Sequence, residues 1–211
     1  MLKEMEETTV SRSIDRLVLN ASLAANRLEV MDQSQVDQAV AAMARAAHAA
    51  RGMLAAMAVE ETGRGNYRDK VAKNDFAAKN VYNYIKDDKT VGIINDDPVS
   101  GVMKVAEPVG IIAGVTPVTN PTSTVIFNAM LALKTRNPII FGFHPFAQKS
   151  CVETGRIICD AAIAAGAPKD WIQWIKTPSL EATNTLMNHP GVATIIAVSY
   201  THLRAHETLA N

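Results

Sequence analysis

Apolar residues in the first third of the chain recur with the period of an α-helix. One stripe places Ile14, Leu17, Ala21, Ala25 and Leu28 at three- and four-residue steps, which puts them on one helical face. A second stripe follows Asp32 or Ser34 as the helix cap, and its members are Val36, Val40, Met43, Ala47, Ala50, Leu54 and Met57. Ala-rich stripes of this length are typical of core-facing helices, so we interpret them as buried faces and not as coiled-coil or partner-binding seams.

Glycines punctuate this helical region. Gly52 lies inside the second stripe and predicts a break or bend, because glycine weakens a helix interior. Gly63 and Gly65 are expected to end the helix as a C-cap and a turn. A third helix is predicted over residues 67–85.

From residue 89 onward the pattern changes to short β-type runs. Residues 90–95 and 101–106 flank the turn-forming sequence Asp96-Asp97-Pro98, which predicts a β-hairpin. Strands and helices then alternate: strands are predicted at 109–115, 138–143, 171–175 and 192–197, and helices at 121–136, 145–165 and 180–188. Continuous apolar strands joined by helices are typical of a parallel sheet covered on both faces. The predicted fold class is therefore α/β, a doubly wound parallel sheet preceded by N-terminal helices and a β-hairpin.

Composition and charge narrow the function classes. Of the 211 residues, 21 Lys and Arg balance 21 Asp and Glu, which disfavours a broad nucleic-acid surface. No apolar run reaches the length of a membrane span, and the best one, residues 109–115, has the length of one strand. The polar N-terminus does not resemble a secretory signal. Two cysteines without zinc-ligand or disulfide-framework spacing predict a reduced, cytoplasmic protein.

The nucleophile, metal and phosphate motifs in the chain are weak. Cys151 and Cys159 fall within a predicted helix, so we interpret them as buried structural residues and not as nucleophiles. His202 and His206 match no zinc-protease signature, so no metal site is predicted. Neither GxGxxG after a strand nor a P-loop is present.

Ligands of open parallel sheets bind beyond the carboxyl ends of the strands, which selects the loops at 116–124, 144–145 and 177–179. Asn120 precedes Pro121 at the start of a predicted helix, where its amide could donate to a developing oxyanion. An ordinary helix cap is the alternative interpretation of the same residue. His144 could contact ribose or phosphate, or could simply begin the next helix.

Several motifs together carry a family resemblance. They include ETGRG, DKVAKN, AEPVGII, TNPTST, LKTRNPIIF, FHPFAQKS and LMNHPGVATIIA. Across about residues 27–197 the chain resembles the N-terminal, coenzyme A-acylating aldehyde dehydrogenase part of the bifunctional aldehyde–alcohol dehydrogenases. The resemblance implies an incomplete Rossmann-like cofactor domain without GxGxxG. It also divides the chain into a helical segment at 1–88, a partial NAD-binding domain at 89–197 and a non-homologous tail at 198–211.

The resemblance also implies a reaction. An aldehyde, acetaldehyde by expectation, and coenzyme A as co-substrate give acyl-coenzyme A through a cysteine thioester, with hydride passed to NAD. Asn120 is implied as the oxyanion donor, and Thr116, Pro117 and Val118 are implied along the cofactor. His144 and Pro145 are implied near the adenosine ribose, and Pro178 beside the adenine. Because His144 replaces a lysine of the wider superfamily, less positive charge faces a 2′-phosphate, which favours NAD over NADP.

The match to the family pattern stops after Ala197. We interpret residues 198–211 as artefactual sequence, with a genuine divergent tail as the alternative. The family's nucleophilic cysteine lies in a later segment, so this chain alone is expected to be inactive. The full-length protein is expected to bind aldehyde or acyl-coenzyme A and to form a homo-oligomer that can extend into a filament. Two alternatives stay open: a non-catalytic binding or assembly module, and a non-acylating aldehyde dehydrogenase.

Overall fold

The structure, a computed structural model, describes residues 2–198, and their side chains from residue 9 onward. Two long helices come first, α1 (Leu2–Glu29) and α2 (Gln33–Thr62). α2 begins with a capping box, in which Asp32 and Gln35 each accept a hydrogen bond from the other's backbone N–H at 2.9 Å. It ends at Gly63, whose φ of 61° is left-handed and suits glycine.

The predicted break at Gly52 is wrong, because α2 runs through it without interruption. One glycine in a helix costs only about 1 kcal/mol, and the buried stripe on both sides of it outweighs that cost. A Cβ at this position would lie 3.0 Å from the Tyr67 hydroxyl. The small residue therefore accommodates the close approach of Tyr67 and does not interrupt the helix.

The predicted third helix is present but is not uniformly α-helical. It comprises α3 (Tyr67–Asp75), a π-helical turn (Phe76–Asn80) and α4 (Val81–Ile85). The side chain of Asn66 caps its start by accepting from the Asp69 backbone N–H at 2.9 Å. π-helical turns inside α-helices are frequent at functional sites, and this one borders the cleft described below.

The hairpin pairs β1 (Gly92–Asp97) with β2 (Val102–Ala106) in antiparallel fashion. Its turn spans residues 98–101, so placing Asp96 and Asp97 in the turn is wrong. The reason is local: Asp97 ends the strand, and its carboxylate accepts from the Val99 backbone N–H and the Ser100 hydroxyl. These bonds form a tight turn after Asp97 and not through it.

A four-stranded parallel sheet forms the second half, in the order β5-β4-β3-β6. Its elements are β3 (Ile111–Val115), α5 (Pro121–Lys134), β4 (Ile139–Gly142), α6 (Gln148–Ala164), β5 (Ile172–Trp174), α7 (Leu180–Met187) and β6 (Val192–Ala197), with a short 3-10 turn (Pro145–Ala147) before α6. The chain moves outward from β3 to β5 and returns to the far side of β3. This confirms the predicted α/β class and puts a topological switch point beside β3.

Alternate residues of the strands face two separate cores. Ile112, Ile139 and Phe141 pack in a cluster with α2, α5 and α6, whereas Ala113 and Ile140 pack with α1 and α7. This follows from the two-residue period of a strand. α1 thus covers one face of the sheet, whereas α2 packs on α5 and α6 over the other face and positions α3 against the loop that follows β3.

Candidate functional site

The loop after β3 begins with buried residues. The Thr116 backbone N–H donates to the Gly142 carbonyl at 3.2 Å, which extends the pairing of β3 with β4. The Thr116 hydroxyl lies 3.9 Å from Sγ of Cys151. Thr116 and Pro117 are buried and Val118 is half-buried. This part of the loop is held against the sheet, and its contact with a cofactor stays a prediction.

Asn120 occupies the N-cap position of α5, but its side chain forms no capping hydrogen bond. Its Oδ1 instead accepts from Nζ of Lys73 at 2.8 Å. The first turn of α5 is completed by Thr124, which donates from its backbone N–H and hydroxyl to the Asn120 carbonyl. The interpretation of the Asn120 side chain as an ordinary helix cap is therefore wrong.

α3 holds the loop on both sides of Asn120. Nζ of Lys70 donates to the Thr119 carbonyl at 2.9 Å, and the Thr122 hydroxyl donates to Oδ1 of Asn74 at 2.7 Å. Both Lys70 and Asn74 are buried. Burial, with a smaller effect of the neighbouring lysine charge, lowers the pKa of Lys70.

Sequence reasoning missed the role of these α3 residues. Lys70, Lys73 and Asn74 lie in the DKVAKN motif at positions i, i+3 and i+4, which places them on one helical face. That spacing was the available signal. The motif's contact with a loop about fifty residues later is decided by tertiary packing.

A cleft of about 500 Å³ opens between the α3–π-helical run and the start of α5. Its wall is mainly apolar, and Lys73 and Asn120 supply polar groups. The lining residues are Ala72, Lys73, Phe76, Ala77, Asn120, Ser123, Thr124, Phe127 and Val198. Val198 follows β6, so the cleft lies at the switch point between β3 and β6, where open α/β sheets bind ligands.

A smaller pocket of about 180 Å³ lies at the carboxyl ends of β3 and β4. Thr116, His144 and Pro145 line it together with Ser179 and Leu180 from the start of α7. The structure thus brings three of the predicted cofactor residues around one pocket, while Asn120 lies on the larger cleft. Pro178 is half-buried and precedes Ser179 in the same loop.

His144 is held in one tautomer at this pocket. Its Nδ1 accepts from the Phe146 backbone N–H at 3.1 Å, which leaves the proton of the neutral ring on Nε2. Burial, followed by the charge of Arg64, lowers the pKa of His144. His144 therefore presents a neutral donor at pH 7.

The N-terminus of α6 is filled by a carboxylate from another helix. Oε1 and Oε2 of Glu61, near the end of α2, accept from the backbone N–H groups of Lys149 and Ser150, each at 2.7 Å. Helix N-termini attract anions because their first N–H groups lack helical partners. At the N-terminus of α6, which follows His144 by a few residues, the Glu61 carboxylate is this anion.

The two thiols differ in exposure, but neither is activated. Cys151 is fully buried in α6, which confirms its interpretation as a structural residue, and burial raises its pKa far above the usual range. Cys159 is partly buried, and burial, followed by the charges of Asp160 and Asp170, raises its pKa to about 12. A nucleophilic cysteine needs a thiolate at neutral pH, which neither residue provides.

Among the side chains that the structure describes, those of residues 9–198, no group of three or more His, Cys, Asp or Glu is suited to a metal ion. His202 and His206 lie outside the described residues. Over the described part of the chain, no helix combines the length and the apolar character that crossing a membrane requires.

Comparison with known proteins places the chain in a family. The model of the aldehyde dehydrogenase family matches residues 2–204. The chain belongs to the aldehyde dehydrogenase family. This confirms the resemblance described above, and the match extends past Ala197. The interpretation of residues 198–211 as artefactual stays a prediction, and from residue 199 that tail lies outside the described residues.

Relatives of this aldehyde dehydrogenase chain include an aldehyde-alcohol dehydrogenase of Entamoeba histolytica, 49% identical over 198 residues that cover 93% of the chain and 23% of the relative. A solved acetylating aldehyde dehydrogenase of Geobacillus thermoglucosidasius is 50% identical, with a TM-score of 0.87 over 90% of this chain and 42% of that one. The chain thus spans about a quarter of the first protein and two fifths of the second.

Structures of more distant family members contain ligands. A Rhodopseudomonas palustris propionaldehyde dehydrogenase, 30% identical with a TM-score of 0.75 over 87% of this chain and 42% of its own, was solved with bound CoA and an acylated cysteine. An engineered glycolyl-CoA reductase, 30% identical with a TM-score of 0.75 over 88% of this chain and 42% of its own, was solved with bound NADP+. Members of the family therefore bind a nicotinamide dinucleotide and CoA.

Proposed function

We propose that this chain is the cofactor-binding part of a CoA-acylating aldehyde dehydrogenase. The reaction converts an aldehyde, CoA and NAD+ into acyl-CoA, NADH and a proton, and it is reversible. The names of the relatives support this assignment: both the Entamoeba and the Geobacillus proteins are aldehyde dehydrogenases, and the latter is acetylating. Acetaldehyde is the proposed substrate on the same ground.

One observation carries the proposal: the Asn120 amide faces the cleft at the switch point and does not cap its helix. Its oxygen accepts a hydrogen bond from Lys73, and its Nδ2 has no hydrogen-bond partner within the part of the chain that the structure describes. A thiolate adding to an aldehyde carbon moves an electron pair onto the carbonyl oxygen. An N–H donor already fixed beside that oxygen lowers the energy of the resulting oxyanion.

The residues around the smaller pocket fit a nicotinamide dinucleotide. The end of the second strand of a βαβ unit is where ribose hydroxyls are recognised in doubly wound folds, and here it carries His144 as a neutral donor. When bound, the nicotinamide supplies the acceptor for the hydride that leaves the former aldehyde carbon. We propose NAD over NADP, because His144 itself is neutral and the Glu61 carboxylate adds a negative charge at the N-terminus of α6, which opposes a 2′-phosphate.

The attacking thiolate is proposed to come from polypeptide outside this sequence, since both thiols of the chain hold their protons. The 211-residue chain is therefore expected to form no NADH from aldehyde and CoA. Homo-oligomerisation of the full-length enzyme, extended to filaments, is proposed as well. It is supported by the hairpin, where Ile93, Val102 and Val105 are each more than half exposed. The two free thiols support a reducing, cytoplasmic location.

Substitution of Asn120 tests the proposal in the full-length enzyme. Asn120→Ala should lower kcat by about 10²–10³, the loss typical of one oxyanion donor, with little change in the free energy of unfolding. Asn184→Ala, the same change at an exposed asparagine of α7 that lines neither pocket, serves as the matched control and should stay near normal. Steady-state NADH formation from acetaldehyde, measured with and without CoA, gives kcat for each variant and the dependence of turnover on CoA. A near-normal kcat for Asn120→Ala contradicts the proposal, and turnover without CoA favours a non-acylating enzyme.

A further inference from the structure

The contact between Lys73 and Asn120 fixes which way the amide points. A lysine ammonium has only donors, so the atom that it contacts at 2.8 Å must be the carboxamide oxygen. The Nδ2 group is therefore on the other arm of the planar carboxamide, directed away from Lys73. Both side chains line the 500 Å³ cleft, so this orientation decides whether the cleft meets a donor or an acceptor.

Lys73 is not needed to hold the loop itself. Lys70 anchors the carbonyl of Thr119, directly before Asn120, and Asn74 anchors the hydroxyl of Thr122, two residues after it. Those two anchors are buried, whereas Lys73 is exposed. Among the described residues, the Asn120 side chain is thus the only hydrogen-bond partner of the Lys73 ammonium, and the bond concerns the amide alone.

The charge of Lys73 also acts on the strength of the donor. An ammonium bonded to an amide oxygen withdraws electron density from the carboxamide, which makes its N–H groups better donors along the hydrogen-bonded chain. Without the ammonium, the amide can rotate by 180° and present its oxygen to the cleft. An oxygen facing the developing oxyanion would repel it.

We propose that Lys73 is a positioning residue that holds the Asn120 carboxamide with its N–H groups toward the cleft and polarises them for oxyanion stabilisation. This inference rests on the proposed function, since it assumes that Asn120 donates to the reacting oxygen. It assigns a role in orienting Asn120 to a residue of the DKVAKN motif in α3, which is not part of the strand-end loops.

A double-mutant cycle in the full-length enzyme tests the inference. Lys73→Met should lower kcat about 10- to 100-fold, as loss of an orienting partner does, with KM for the aldehyde nearly unchanged. Lys73→Arg should restore most of kcat, because arginine also only donates. In the Asn120→Ala background, Lys73→Met should have no further effect, since there is no amide left to orient. Lys79→Met, an exposed lysine on the same helical run, is the matched control.

The outcomes separate the two proposals. If Asn120→Ala is near normal, the proposed function fails and the inference with it. If Asn120→Ala lowers kcat but Lys73→Met does not, or if the two losses multiply in the double variant, only the inference is overturned. Loss of kcat for Lys79→Met equal to that for Lys73→Met also overturns it.

A second readout uses the 211-residue chain directly. In ¹⁵N-labelled protein, the side-chain amide signals of Asn120 are identified by their disappearance in Asn120→Asp. Lys73→Met should shift these signals, whereas Lys79→Met should leave them in place. Circular dichroism of each variant checks that it is folded. Unchanged Asn120 amide signals in folded Lys73→Met contradict the inference independently of any activity.

Discussion

At the scale of single residues, Asn120 shows how a local pattern is overridden. Asn before Pro at the start of a helix favours a side-chain cap. In the structure the Thr124 hydroxyl and backbone N–H satisfy the Asn120 carbonyl, while a lysine 47 positions earlier binds the side-chain oxygen. The residues next to Asn120 in the chain are compatible with both arrangements. Only the packing of α3 on the loop distinguishes them.

Thiol chemistry gives a prediction at this scale. In the native 211-residue chain at pH 8, Cys151 should resist iodoacetamide, and Cys159 should react far more slowly than an unfolded thiol, because burial raises both pKa values. Alkylation followed by peptide mass spectrometry measures each site. Denaturant should expose both. Rapid labelling of Cys151 in the native protein would contradict its placement in the core. The Cys159→Ser variant has only Cys151, so it shows which labelled peptide belongs to which cysteine.

The same pKa shift predicts a pH dependence. The folded-state pKa of Cys159 is raised from 9.0 to about 12. Its contribution to stability is thus complete below about pH 9 and is lost as the pH rises through 12. Cys159→Ser should make this part of a stability profile, measured by urea unfolding between pH 8 and 11, less steep, and the buried Cys151, whose pKa is also raised, should account for the slope that is left. An identical alkaline slope in both proteins would exclude Cys159 as its origin.

At the scale of elements, the hydrophobic periodicity of the sequence predicted most helices and strands, but it did not predict the irregularities within them. The strand at 192–197 has the predicted bounds, and α2 runs from the predicted cap to the predicted Gly63. The uninterrupted helix at Gly52 and the π-helical turn at Phe76–Asn80 were missed. Both depend on what packs beside the helix, which a single-helix period does not contain.

The N-terminus of α6 gives the prediction at this scale. The Glu61 carboxylate accepts hydrogen bonds from the first N–H groups of α6 and places a negative charge there. Because this charge would repel the 2′-phosphate of NADP, Glu61→Gln should improve the use of NADP relative to NAD. About 1.4 kcal/mol of removed repulsion corresponds to a tenfold change in the ratio of the two kcat/KM values. Glu60→Gln, the exposed neighbour on α2, is the matched control.

Steady-state kinetics of the full-length enzyme with both cofactors measure this ratio. A ratio that is the same in Glu61→Gln and in the unaltered enzyme would show that Glu61 takes no part in cofactor choice. A fall in thermal stability alone would identify it as a helix cap only. Either result leaves the assignment of Asn120 untouched.

At the scale of the whole molecule, the N-terminal helices and the sheet share their cores. α2 packs on α5 and α6 over one face, and α1 packs with α7 over the other. Lys134, 2% exposed at the end of α5, donates to Asp37 of α2 at 2.6 Å and to the Lys86 carbonyl at 3.0 Å. This buried ammonium joins three parts of the chain, so the division at residues 88 and 89 stays a prediction.

Removing the counter-charge of Lys134 should therefore destabilise the entire fold. Asp37→Asn leaves the buried ammonium without its carboxylate and should lower the free energy of unfolding by about 1–3 kcal/mol. Adding Lys134→Met to it should recover part of the loss, because no unpaired charge is left buried. Urea unfolding followed by circular dichroism measures each variant, with Asp96→Asn on the exposed hairpin as control. Equal stability of Asp37→Asn and the unaltered chain would contradict this role of Lys134.

The sequence alone determined the α/β class, the order of the elements, the strand-end loops and the family, because hydrophobic periods and local motifs are properties of neighbouring residues. The tertiary structure alone decided that the Asn120 amide contacts Lys73, that Glu61 fills the N-terminus of α6, and that both thiols are held protonated. These features join residues tens of positions apart in the chain. Their contacts exist only once the helices have packed on the sheet, and no local period encodes that packing.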